Sequence, residues 1–143
     1  MSESALLGGT SAASGVAGPA WPLSDDMEKT AILDVLDSGS WYNGDRVKEF
    51  EQSFAAMQDA KYGVACTGGT VALEAIVRAA GVGVGDEVIT SPYTFIGTCT
   101  SILKTGAAIR FVDVDPDTNN LDIDQIEDAI TSHTRAIMPG HYG

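Results

Sequence analysis

Residues 64–89, VACTGGTVALEAIVRAAGVGVGDEVI, decide the fold class. An apolar run ends in Cys-Thr-Gly-Gly-Thr, a helical pattern follows, and Gly85-Asp86-Glu87 leads into a second apolar run. Leu73, Ile76, Val77 and Ala80 recur at three- and four-residue intervals, which predicts a helix over Thr70 to Ala80 with that face inward. Tyr62 to Cys66 before it and Glu87 to Thr90 after it read as short strands. Strand, glycine turn, helix and strand in that order make one repeat of an α/β fold with a largely parallel sheet.

Several backbone N–H groups converge at such a turn without an intrahelical acceptor, and the helix dipole favours an anion there. Gly68 and Gly69 let a ligand approach the backbone, and Thr70 adds a hydroxyl. The letters fit neither common phosphate motif. Thr70 and Val71 stand where a P-loop needs lysine, and a dinucleotide fingerprint needs a third glycine. An ordinary glycine-rich turn with a threonine cap satisfies the same letters. The next connection, TSPYTFIGT over residues 90–98, brings Tyr93 and Phe95 to the same end of the sheet. An aromatic there can stack on a flat ring carried by the anion, or it can be a core residue. Phosphate plus flat ring leaves pyridoxal phosphate, flavin mononucleotide or a nucleotide.

Working outward, the alternation continues. Ser24 can cap a helix whose Asp25 and Asp26 suit the dipole and whose Met27, Ala31 and Val35 fall on one face, with Gly39 as its stop. SGSWYNG, residues 38–44, is a loop with two aromatics; Val47, Phe50, Phe54 and Met57 then form the apolar face of a second helix. A helix is expected over Thr94 to Lys104, a strand over Ala107 to Val114, and a strand from Ala136 to Pro139. Asp122 is placed to cap a helix running to Ile130, with Gln125 three residues on as in a capping box. Residues 1–22, rich in Gly, Ala and Ser, read as a flexible arm, and residues 23–143 as the α/β body.

The chain has 143 residues, one domain's worth, and 44% hydrophobic content, which suits a globular body. Eight basic against 20 acidic residues give a net charge of −12, which repels nucleic-acid phosphates and anionic membrane surfaces. No apolar run reaches the length of a membrane span, and the first residues lack a basic and apolar leader pattern, so the expected location is the cytoplasm. Cys66 and Cys99 have no metal-ligand spacing and are expected to be buried, reduced thiols. Asp113, Asp115 and Asp117 read as a turn around Pro116 rather than an ion cage, so no metal is expected. His141 reads as a polar strand-end residue, and Gly85-Asp86-Glu87 as a turn with its carboxylates on the solvated side.

Six segments, taken together and in order, resemble the DegT/DnrJ/StrS family of pyridoxal-phosphate enzymes, the sugar aminotransferases of fold-type I. They are ALLGG from Ala5, SGSWYNGDRVKEFEQSFA from Ser38, CTGGTVAL from Cys66, GVGVGDEVITSPYTFIGT from Gly81, GAAIRFVDVDPDTNNLD from Gly106 and AITSHTRAIMPGHYG from Ala129. The resemblance implies that residues 23–143 are an incomplete large domain, its N-terminal part. It further implies pyridoxal 5'-phosphate as cofactor, with Thr70 and the backbone of Gly69 and Val71 on its phosphate and Phe95 stacked on its ring. Trp41 and Tyr42 fall where the family places a loop near the sugar site.

The activity the resemblance implies is transfer of an amino group from an amino acid, usually glutamate, to a keto-sugar that is typically nucleotide-linked, in a homodimer. The Schiff-base lysine and the aspartate at the pyridine nitrogen are implied beyond residue 143, so no catalytic residue is assigned here. Lys29, Lys48, Lys61 and Lys104 do not match that lysine's motif. A chain of this kind is expected to be inactive alone, a truncated or partial form with an open sheet edge. Family dehydratases are an alternative, as are synthases of aminated aromatic precursors, which GTVALEAI also resembles. A non-catalytic paralogue that binds a full-length subunit is another, and a phosphate-ligand domain of a different α/β family a last one.

Overall fold

The computed structural model describes residues 4–16, 18 and 21–141. The chain divides into two compact units, Met1–Glu49 and Phe50–Gly143. Part of the expected arm lies outside the described residues; within them, Ala5–Leu7 forms one 3-10 turn that buries nothing.

The first unit is organised by α1 (Asp26–Ser38). Its N-cap is Asp25, one residue later than Ser24. Asp25 Oδ1 accepts the Met27 N–H at 2.6 Å, while Glu28 Oε2 accepts the Asp25 N–H at 2.8 Å. Two reciprocal bonds outweigh the single one Ser24 offers, which is why the cap moved. The Asp25 N–H, foremost, holds the Glu28 carboxyl below its ordinary range. Gly39, at φ 67°, ends the helix in the left-handed conformation that glycine adopts without steric cost.

The second helix, α2 (Asp45–Met57), runs from the first unit into the second. Its apolar stripe forms as expected, and the Phe50 and Phe54 rings stack with centroids 5.6 Å apart. The stripe is not buried, however. Val47, Phe50, Phe54 and Met57 are all exposed, because no described element covers them, and Ala55 is the buried residue instead.

The second unit holds α3 (Gly69–Ala79), β1 (Glu87–Thr90), α4 (Ile96–Leu103), β2 (Ala108–Phe111), α5 (Ile126–Ala129) and β3 (Thr134–Ile137). The three strands form a wholly parallel sheet in the order β2-β1-β3. Parallel strands are covered on both faces, and the core follows suit. Val77, Val82, Val88, Ile102 and Ala107 pack on one side, where α3 and α4 lie. Ile89, Val112, Leu121 and Ala129 pack on the other, beside α5. Val88, Ile89 and Thr90 of the central strand are completely buried, each large apolar one contributing about 1.5–3 kcal/mol.

On the outer side of α3, the Glu74 carboxylate pairs with Arg78 at 3.0 Å and Lys104 at 3.2 Å. Arg78 also donates to the Lys104 carbonyl at 2.6 Å, tying α3 to the end of α4. Arg78, foremost, and Lys104 keep the Glu74 carboxyl below its usual range.

Several expectations are corrected. Tyr62–Cys66 forms no strand: no described residue pairs with it, and an extended run without a ladder partner is not a strand. Cys66, lying on that run, is exposed rather than buried, and Cys99 is half-buried. Within α3 only Val77 is buried, and Ile76 faces outward. The Asp86 and Glu87 carboxylates are not free in solvent. Asp86 accepts the Gly83 N–H at 2.9 Å, and Glu87 accepts the Thr131 hydroxyl at 2.6 Å, closing two turns. Asp122 does cap, but it caps a 3-10 turn (Ile123–Gln125) ahead of the short α5, and Gln125 bonds its side chain rather than its backbone. Asp115 accepts the N–H groups of Asp117 and Thr118, which lowers its pKa through the Thr118 bond first, and this confirms a turn at that position.

Candidate functional site

The glycine turn enters α3 with Gly68 as N-cap, its backbone extended at φ 177° and no side chain capping the helix. The N–H groups of Val71 and Ala72 are both taken by the Gly68 carbonyl at 3.1 Å. Those of Gly69 and Thr70 have no partner among the described residues. Two open donors therefore lead α3, with the positive end of its dipole behind them. Of the three residues expected at the phosphate, Gly69 and Thr70 present N–H groups, while that of Val71 is engaged.

The second helix start is built by residues 91–98. The Ser91 hydroxyl accepts the Tyr93 N–H at 3.0 Å, and the hydroxyls of Thr94 and Thr98 lie 2.9 Å apart. Thr90 ties the strand ends together by donating to the Met138 carbonyl at 2.8 Å. Gly140 packs there too: a Cβ on it would lie 3.2 Å from Thr94 Oγ1. Phe95 is the N-cap of α4, and the residue is 72% exposed. It is not a core aromatic, so its face is available to a ligand.

The two helix starts meet at Gly97. A Cβ on this buried glycine would lie 2.7 Å from Thr70 Oγ1 and 2.9 Å from Phe95 Cδ1, so hydroxyl and ring edge adjoin one point. Gly97 was not singled out by sequence reasoning. The available signal was a glycine in the first turn of a helix, where it costs about 1 kcal/mol relative to alanine and so needs a reason. A backbone donor pair, a hydroxyl and an exposed aromatic face thus converge without any basic side chain. Such a cradle suits a dianionic group attached by a short arm to a flat ring, and pyridoxal phosphate has that form.

Trp41 and Tyr42 belong to the first unit, Thr70 and Phe95 to the second. The Trp41 indole donates to the Leu36 carbonyl at 3.2 Å, closing the end of α1, while its ring faces a cleft of about 350 Å³ edged by Asp34, Asp45, Arg46 and Glu49. Tyr42 is 92% exposed. The four lysines are all exposed. Lys29, Lys48 and Lys104 are paired with Asp26, Asp45 and Glu74, and Lys61 lies over the Tyr62 ring at 5.1 Å. His141 is exposed. Among the described residues no cluster of His, Cys, Asp or Glu could hold a metal, and no helix is long and apolar enough to cross a membrane.

The sequence profile of the DegT/DnrJ/EryC1/StrS aminotransferase family matches residues 22–143. Among individual proteins, the chain is 42% identical over 114 residues to a UDP-2-acetamido-2-deoxy-3-oxo-D-glucuronate aminotransferase of Pseudomonas aeruginosa, which covers 80% of this chain and 32% of that protein. It superimposes on the crystal structure of 3-amino-5-hydroxybenzoic acid synthase with a TM-score of 0.83 at 42% identity, over 87% of this chain and 33% of the other. The structure of NtdA from Bacillus subtilis with bound cofactor PMP gives a TM-score of 0.77 at 31% identity, over 82% and 28% of the two chains. The chain thus spans about a third of the length of the proteins it matches.

Proposed function

This chain belongs to the DegT/DnrJ/EryC1/StrS aminotransferase family, and from that premise we propose that it supplies the cofactor-phosphate and ring-stacking part of a pyridoxal-phosphate-dependent aminotransferase. The observation that carries this reading is the meeting of Thr70, Phe95 and the α3 N-terminus at Gly97. Gly69 and Thr70 would hold the phosphate through their N–H groups, with the Thr70 hydroxyl as a third donor. Phe95 would orient the ring and keep water from one face of it. When bound, the cofactor supplies an electron sink for removal of a proton next to the transferred nitrogen. The lysine and the ring-nitrogen carboxylate that complete the chemistry are not assigned to any residue of this chain.

The donor is read as an amino acid, glutamate by the resemblance, and the acceptor as a keto-sugar, in a cytoplasmic homodimer of the whole protein. The relative that acts on an oxo-sugar nucleotide supports this acceptor. So does the Trp41 cleft, where a ring face beside Asp34, Asp45 and Glu49 suits the CH face and hydroxyls of a sugar. The likeness to 3-amino-5-hydroxybenzoic acid synthase supports the second reading, an aromatic amino-precursor synthase.

Titrating the ¹⁵N-labelled chain with pyridoxal phosphate tests the cofactor assignment. The Gly69 and Thr70 amides are expected to shift with pyridoxal phosphate and not with pyridoxal, and borohydride is expected to leave no covalent adduct. Unshifted Gly69 and Thr70 amides would overturn the reading.

A further inference from the structure

The run that leads into the phosphate turn poses a mechanical problem. Residues 62–67 carry no ladder hydrogen bond, yet the turn they deliver must arrive at a fixed place. Among the described residues, a single hydrogen bond joins this run to another element: the Ala65 N–H donates to Glu51 Oε1 of α2 at 2.8 Å. The same residue makes a second contact two positions upstream. A Cβ on Gly63 would lie 2.5 Å from the Glu51 carbonyl oxygen and 3.2 Å from its carbonyl carbon, so the run touches the α2 backbone there. Gly63 and Ala65 are thus both held at one turn of one helix.

Packing does not duplicate this contact. Phe50 and Phe54 of α2, with Val64, Cys66 and Gly69, border an open cavity of about 370 Å³, and Val64 is 82% exposed. Nor is the Glu51 carboxylate engaged elsewhere: no Lys, Arg or His pairs with it among the described residues. An unpaired carboxylate on α2, bonded to the run that leads into an anion site, opposes anion binding unless it has another task. Accepting a backbone N–H with its charge is such a task, and charge-assisted bonds of this kind are about twice as strong as neutral ones.

We propose that Glu51 is a positioning residue for the anion-binding turn: its carboxylate holds Ala65, and with Gly63 against α2 this sets where Gly69 and Thr70 present their donors. The role in ligand binding rests on the reading that the turn receives the cofactor phosphate. The hold on Ala65 does not.

The test compares the labelled parent chain with Glu51→Ala and Glu51→Gln. In Glu51→Ala the Ala65 amide is expected to exchange about tenfold faster, the cost of one charge-assisted hydrogen bond. The Gly69 and Thr70 resonances should move, and Val88 and Ile89 should keep their protection. Glu51→Gln keeps an acceptor and is expected to stay within about threefold of the parent at Ala65, which a charge effect alone would not produce. The affinity for pyridoxal phosphate, used as the probe, should fall about fivefold in Glu51→Ala and recover in Glu51→Gln. Unchanged Ala65 exchange in Glu51→Ala overturns the proposal. So does an equal loss of protection at Val88 and Ile89, which marks a general loss of structure. A parent chain that binds no pyridoxal phosphate overturns the functional reading instead, and Ala65 exchange then decides the positioning role by itself.

Discussion

Two short apolar runs each lead into a helix start in this molecule, and only one of them is a strand. β1, Glu-Val-Ile-Thr, is paired on both sides, by β2 and by β3, and its last three residues are completely buried. Tyr62 to Cys66, Tyr-Gly-Val-Ala-Cys, has a comparable apolar content and the same place before a helix, yet it is unpaired and largely exposed. Composition does not separate the two. What separates them is whether neighbouring strands offer carbonyl and N–H groups at the right spacing. A strand is a property of its neighbours as much as of its own residues.

The strongest way to break this contrast is at its buried end. Ile89→Ala removes a fully enclosed side chain from the cluster with Val112, Leu121 and Ala129, and is expected to cost about 2–5 kcal/mol in urea unfolding. A loss under about 0.5 kcal/mol would mean that the sheet is not the stability centre. Next comes Gly63→Ala, whose new methyl meets the α2 backbone rather than a movable side chain. We expect about 1–3 kcal/mol of local strain, seen as faster Ala65 exchange while β1 amides stay protected. The smallest effect belongs to Val64→Ala. Val64 is in the same apolar run that reads as a strand, but its exposure predicts a change within about 0.5 kcal/mol. A larger loss there would show that Tyr62–Cys66 is paired in solution.

The same contrast explains what was legible. The ends of β1 are legible because a strand whose last three residues are fully buried, set between Gly85 and Pro92, has sharp limits in sequence. β3 begins at Thr134, two residues ahead of expectation: its alternately half-buried residues give a weaker apolar signal. Gly39 was readable as a helix stop because left-handed glycine is a local property, whereas the cap at Asp25 depended on a reciprocal bond with Glu28. At the site, Thr70 and Phe95 were visible as letters, but their common boundary at Gly97 is a tertiary contact between residues 27 positions apart, and single-chain periodicity carries no trace of it. Glu51 was hidden for the opposite reason. It is a charged residue on a helix, and nothing in its local pattern distinguishes it from the solvent-facing Glu49.

The strand order also bears on how the polypeptide acquires its shape. Glu87 finds one partner at Ala108 and the other at Thr134, more than twice as far along the chain. Closing the shorter loop costs less entropy, so the β1–β2 pair with α4 is the natural early unit, and β3 must join it later. During synthesis from the N-terminus, the most deeply buried strand therefore waits with one side open until the last described element emerges. The interval between those two events is when this chain has most need of a chaperone.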